Sequence, residues 1–121
     1  GLFCSTPMVA LSRNVGRKQA MEMLLLGDNI NADKAVELGL VNQAVAGDQL
    51  ATALADMTAI LCAKSDITMT RGKQAFYEQI DLPIGAAYDH TINVMVENML
   101  AADADEGIGA FIEKRKPNWQ N

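Results

Sequence analysis

Apolar positions along the chain recur at helical rather than strand spacing. Met21, Leu24 and Leu25 share one face of a segment running from Arg17 to Leu26. Leu50, Leu54, Met57 and Leu61 fall at i, i+4, i+7 and i+11, which predicts a helix of about four turns beginning after Asp48. Beyond Pro83, the stripe Ile84, Tyr88, Ile92, Met95 and Met99 lies opposite Asp89, Asn93 and Glu97, predicting the longest helix. Ile108, Phe111 and Ile112 mark the last one.

Polar and glycine positions set the ends of these segments. Ser5-Thr6-Pro7 predicts a hydroxyl-capped start for a helix reaching about Asn14, with Pro7 in the first turn where its missing N–H costs little. Gly27 terminates the second helix, and Asn31 caps a third from Ala32 to Leu38 with Gly39 just beyond. Asp66 is the expected cap of a helix carrying Met69, Phe76 and Ile80. Gly72 lies in its middle, where glycine costs about 1 kcal/mol relative to alanine, and this predicts close approach of another backbone. Asp103 or Asp105 is expected to cap the last helix, with Glu106 in its first turn and Pro117 as its stop. Leu40 to Val45 alternates weakly, giving at most one short strand among about seven helices. The fold class read from this pattern is mainly α.

Composition narrows the function classes. A chain of 121 residues with 50% hydrophobic content has the size of one globular domain and excludes a disordered tail. A net charge of -5 argues against a nucleic-acid binder that needs a basic face over the whole domain. Unbroken apolar runs such as Met23 to Leu26 are far short of a membrane span. Cys4 and Cys62 have neither disulfide-scaffold nor zinc spacing and read as buried free thiols. The chain opens on Gly1-Leu2-Phe3-Cys4 with no initiator Met, which predicts a piece of a longer protein.

Local chemistry is sparse. His90 is the single histidine, and a general base or metal ligand needs partners that its helical neighbours do not supply, so it reads as a partly exposed helix residue. Cys4 precedes a helix start without a visible base. Met21, Met57, Met69, Met95 and Met99 fall on apolar stripes and read as core filling. Asp103, Asp105 and Glu106 are accounted for by capping and the helix dipole. Neither a catalytic residue nor a metal site follows from these patterns. The basic end differs in kind. Phe111, Lys114, Arg115 and Lys116, with Trp119 beyond, set aromatic surface near positive charge, a combination suited to an adenine nucleotide; a solvated helix end has the same composition.

Longer motifs carry a resemblance. Arg13-Asn14-Val15-Gly16-Arg17-Lys18-Gln19-Ala20-Met21-Glu22-Met23-Leu24-Leu25-Leu26-Gly27, then Ile30-Asn31-Ala32 and Ala35, then Gly39-Leu40-Val41, resemble the C-terminal third of an enoyl-CoA hydratase/isomerase, or crotonase-type, protein. Gly72-Lys73 and the closing run from Glu106-Gly107-Ile108 through Phe111-Ile112-Glu113-Lys114-Arg115-Lys116-Pro117 agree with it. The resemblance implies a C-terminal helical region of the crotonase-type fold, packing on an acyl-CoA-binding ββα core and building homo-oligomers, trimers or hexamers. It implies that the oxyanion hole and catalytic carboxylates lie upstream of the position matching Gly1. Phe111 and Lys114 match positions that reach the adenine and phosphate end of coenzyme A, the carrier part of the acyl-CoA substrate rather than a covalently bound cofactor. Leu2-Phe3-Cys4-Ser5-Thr6-Pro7-Met8 departs from the glycine-rich loop of many members. The expected compartment is the cytoplasm in a bacterium or the mitochondrion in a eukaryote. The rival expectation is a non-catalytic helical assembly module.

Overall fold

Seven α-helices and one short 3₁₀ turn are formed among residues 1–120, which the computed structural model describes. In chain order they are α1 (Pro7–Asn14), α2 (Arg17–Leu26), α3 (Ala32–Glu37), the 3₁₀ turn Gly47–Gln49, α4 (Leu50–Cys62), α5 (Asp66–Gln79), α6 (Ile84–Met99) and α7 (Ala102–Glu113). The chain divides into two compact units, Gly1–Ala53 and Leu54–Asn121.

Helix ends follow local chemistry in the first unit, with one exception. Pro7 occupies the first turn of α1, but Thr6 has helical backbone angles and makes no side-chain cap, so the hydroxyl cap is absent. Gly27 stops α2 in the left-handed conformation, φ 68°, and its N–H bonds the Met23 carbonyl. Asn31 caps α3 as expected, its Oδ1 accepting from the Lys34 N–H at 2.8 Å, a contribution of about 1 kcal/mol. The weakly alternating segment after Gly39 does not become a strand, and no strand forms among the described residues. The reason lies in its donors: the Leu40 and Val41 N–H groups both turn back to the Ala35 carbonyl, at 2.9 and 3.4 Å.

In the second unit two caps are shifted. Ser65, not Asp66, caps α5: its buried hydroxyl accepts from the Thr68 N–H at 3.2 Å, leaving Asp66 as the first helical residue. The N-cap of α7 is Ala101, without a side-chain bond, so neither Asp103 nor Asp105 is the cap; both sit in the first turn. That helix ends at Glu113, before Pro117 is reached. α5 and α6 pack together around Ala75, and Arg71 Nη1 donates across to the Glu97 carbonyl at 2.9 Å. Gly72 faces open space rather than a neighbouring backbone, since a Cβ there would meet nothing within 4 Å.

The core is narrow. Among the described residues the buried apolar side chains are Val15, Ala20, Ala35, Ala75 and Ala110. Helices that meet through alanines approach closely, and the long side chains flanking each seam stay outside it. Met21, Met57, Met69, Met95 and Met99 are therefore not core filling; each is at least 41% exposed. Cys4 and Cys62 are exposed as well, against the expectation of buried thiols.

Candidate functional site

The end of α7 builds the most specific arrangement of charge in the chain. Lys114 follows Glu113 with φ 55° and ψ 37°, the left-handed region that usually takes glycine. Its N–H bonds the Phe111 carbonyl at 3.3 Å, and the Arg115 N–H reaches the Ala110 carbonyl at 3.0 Å. This closes the helix with the paired bonds that satisfy its last carbonyls. That turn links Phe111 and Lys114 through their backbones. The Phe111 ring is 84% exposed, and the Lys114 side chain has no ion-pair partner among the described residues.

Arg115 is engaged differently. Its Nη1 and Nη2 donate to Glu106 Oε1 and Oε2 at 2.6 and 2.9 Å, a two-pronged grip, and its Nε donates to Glu113 Oε2 at 2.5 Å. Glu106 Oε1 also accepts from the Asn118 N–H at 2.6 Å. The Arg115 guanidinium, seconded by that backbone N–H, holds the Glu106 carboxyl at about 2, well below its ordinary 4.5. Glu106 and then Glu113 push the guanidinium upward in turn. Of the three consecutive cations, Arg115 is thus neutralised in place, while Lys114 and Lys116 keep free ammonium groups among the described residues.

Trp119 does not stand beside this charge as a stacking surface. Its indole lies on Gly107, and its Nε1 donates to the Ala63 carbonyl at 2.8 Å, so the ring fastens the C-terminal tail. Asp103, read from the sequence as a cap, is buried and accepts from the Gln120 N–H at 2.8 Å. The sequence reading missed Glu106 as the partner of Arg115, because their nine-residue separation closes only once the chain reverses after Lys114.

His90 approaches a carboxylate of another helix. Its Nε2 lies 3.1 Å from Glu78 Oε2 across the α5–α6 seam, and Gln74 Nε2 donates to Glu78 Oε1 at 2.8 Å. The pair borders a groove of about 240 Å³ with Arg71, Asn93 and Glu97. In the first unit, a groove of about 230 Å³ between α2 and α3 is bordered by Gln19, Met23, Leu26, Lys34 and Leu38. No group of three or more His, Cys, Asp and Glu residues is placed to hold a metal ion among the described residues. Nor is any described helix long and apolar enough to cross a membrane.

Comparison with known proteins gives this geometry its context. Residues 2–121 match the family described as enoyl-CoA hydratase/isomerase. The chain is 44% identical over 119 residues to the mitochondrial enoyl-CoA hydratase domain-containing protein 3 of Xenopus laevis, covering 98% of this chain and 40% of that protein. It superposes on the crystal structure of an enoyl-CoA hydratase from Mycobacterium smegmatis with a TM-score of 0.93 and 48% identity, covering 100% of this chain and 47% of the other. The human enoyl coenzyme A hydratase domain-containing protein 3 gives a TM-score of 0.89 at 42% identity, over 98% and 47%. The chain therefore spans about two fifths of the length of the curated relative.

These findings correct three expectations. The match runs through residues 2–121, so the family pattern occupies the chain as a whole and is not confined to a C-terminal helical remnant. The fold is mainly α, with crotonase-type likeness over all of it, in place of an accessory helical region. The reading of its function as that of a C-terminal fragment gives way to what the comparison shows, membership of the enoyl-CoA hydratase/isomerase family through residues 2–121. Association with CoA thioesters is a property of that family, and its members here include a protein named as mitochondrial and one from a bacterium.

Proposed function

Because the chain belongs to the enoyl-CoA hydratase/isomerase family, we propose that it works on acyl-CoA thioesters, with Phe111 and Lys114 meeting the nucleotide end of coenzyme A. The observation carrying this reading is the division of labour among consecutive cations: Arg115 is held by carboxylates, whereas Lys114, three positions after the exposed Phe111, has no ion-pair partner among the described residues. An adenine stacks on the face of such a ring, and a phosphate pairs with an unpartnered ammonium. Coenzyme A enters as part of the substrate, not as a resident group.

The same reading assigns the exposed apolar stripes to contacts between copies. Ile84, Tyr88, Ile92, Met95 and Met99 form an uncovered face along α6, and such faces are the usual material of symmetric interfaces. We propose a homo-oligomer, a trimer or hexamer, operating in the cytoplasm of a bacterium or the mitochondrion of a eukaryote.

The test is an equilibrium titration of the chain with CoA at several salt concentrations. Phe111→Ala and Lys114→Ala are each expected to weaken binding about tenfold, the equivalent of about 1.4 kcal/mol. Salt should weaken binding to the unaltered chain more than to the Lys114 variant. Equal affinities in all three proteins would remove these residues from the site.

A further inference from the structure

Lys114 is the one non-glycine residue with positive φ among the described residues. Left-handed backbone costs an L-residue what glycine escapes, because its Cβ crowds the following carbonyl oxygen. Such a conformation persists where neighbouring structure fixes it, and it concentrates at functional positions. Here the fixing groups flank the residue on both sides. Glu113 and Arg115 are joined through Nε and Oε2 at 2.5 Å, closing a ring around the Lys114 backbone. Glu106 anchors that ring to the body of α7 through two further bonds at 2.6 and 2.9 Å.

We infer that Arg115 is a positioning residue for Lys114: its paired carboxylates hold the left-handed turn that presents the Lys114 ammonium to a phosphate of CoA. The inference rests on the proposed CoA site and adds to it the device that builds the site. Arg115 is committed within the chain: its Nε donates to Glu113, its Nη1 to Glu106 and the Lys116 carbonyl, and its Nη2 to Glu106. The arrangement also explains a lysine where glycine would serve the turn better: the side chain, not the backbone, is what the position is for.

A double-mutant cycle on the full chain tests this, with CoA as the titrant and far-UV circular dichroism as the folding control. Lys114→Ala and Arg115→Met should each weaken CoA binding about five- to tenfold. The double variant should bind no more weakly than Lys114→Ala alone, because Arg115 acts through Lys114. Lys114→Gly should lose CoA affinity to the same extent while raising the unfolding midpoint, a combination that a purely structural role for Lys114 would not produce. Should Arg115→Met lose its helices, Glu106→Gln replaces it in the same cycle, since it weakens the grip but keeps an acceptor for Asn118. Full CoA affinity in Arg115→Met, with Lys114→Ala impaired, overturns the positioning role alone. Additive losses overturn it too, by making Arg115 a direct contact. A Lys114→Gly chain no more stable than the unaltered one removes the strain on which the inference stands. Unchanged affinity in Lys114→Ala, or no CoA binding by the unaltered chain, overturns the proposed site and the inference with it.

Discussion

Trp119 rests on Gly107 so closely that a Cβ on that glycine would stand 3.3 Å from the indole Cη2 and 3.4 Å from Cζ3. The ring cannot easily retreat, because its Nε1 donates to the Ala63 carbonyl. Gly107→Ala therefore sets a helix-propensity gain of about 0.8–1 kcal/mol against a crowded contact. With Trp119 present the variant is expected to lose about 1 kcal/mol of stability. In a Trp119→Ala background the same substitution should gain about 0.5–1 kcal/mol. Urea unfolding of the four proteins measures the sign in each background; the same sign in both would show that the indole does not constrain Gly107.

Acid should loosen the C-terminal tail over a defined range. Glu106 titrates at about 2 in the folded chain against an ordinary 4.5, first because of Arg115 and then because of the Asn118 N–H. A carboxyl whose folded value is depressed binds protons more readily when unfolded, so its contribution is complete above about 4.5 and is lost as pH falls toward 2. Unfolding midpoints measured through that window should fall more steeply for the unaltered chain than for Glu106→Gln. Parallel profiles would mean that the Arg115 grip adds nothing in solution.

Two glycines should respond in opposite directions. Gly27 adopts φ 68° at the end of α2, so Gly27→Ala is expected to destabilise by about 1 kcal/mol despite open space around it. Gly72 lies inside α5, where an added methyl would meet nothing within 4 Å, and Gly72→Ala should stabilise by about 0.8–1 kcal/mol. Thermal unfolding of both variants checks the pair. A destabilising Gly72→Ala would restore the close backbone approach that the sequence led one to expect.

Sedimentation equilibrium should find the chain associated, with α6 contributing to the contact. Ile92 is 57% exposed within the α6 stripe, and Ile92→Glu is expected to weaken association at least about tenfold while leaving the helical signal intact. A folded, strictly monomeric chain would count against homo-oligomer contacts through these faces.

Helix limits were legible where one residue decides them. Asn31 caps α3 through its own side chain, and Gly27 ends α2 by its own conformation. Legibility failed where the deciding partner is remote or unspecified. Asp103 has the spacing of a cap, yet its carboxylate serves the Gln120 N–H, seventeen residues on. The stripe through Met95 and Met99 was visible, but periodicity identifies an apolar face without saying what covers it. At the candidate site, Phe111 and Lys114 were legible as an aromatic beside a charge. The separate fate of Arg115 was not, because it depends on the reversal after Lys114 that carries Arg115 back to Glu106.

The central claim is that CoA meets this chain at Phe111 and Lys114. Backbone amide shifts recorded by NMR during a CoA titration test it most directly, since they distinguish this site from the grooves elsewhere on the chain. Perturbations are expected to centre on Ala110 to Lys116 and to be lost in Lys114→Ala. Perturbations centred instead on the groove at Gln19, Met23, Leu26 and Lys34, or on that at Glu78 and His90, would contradict it.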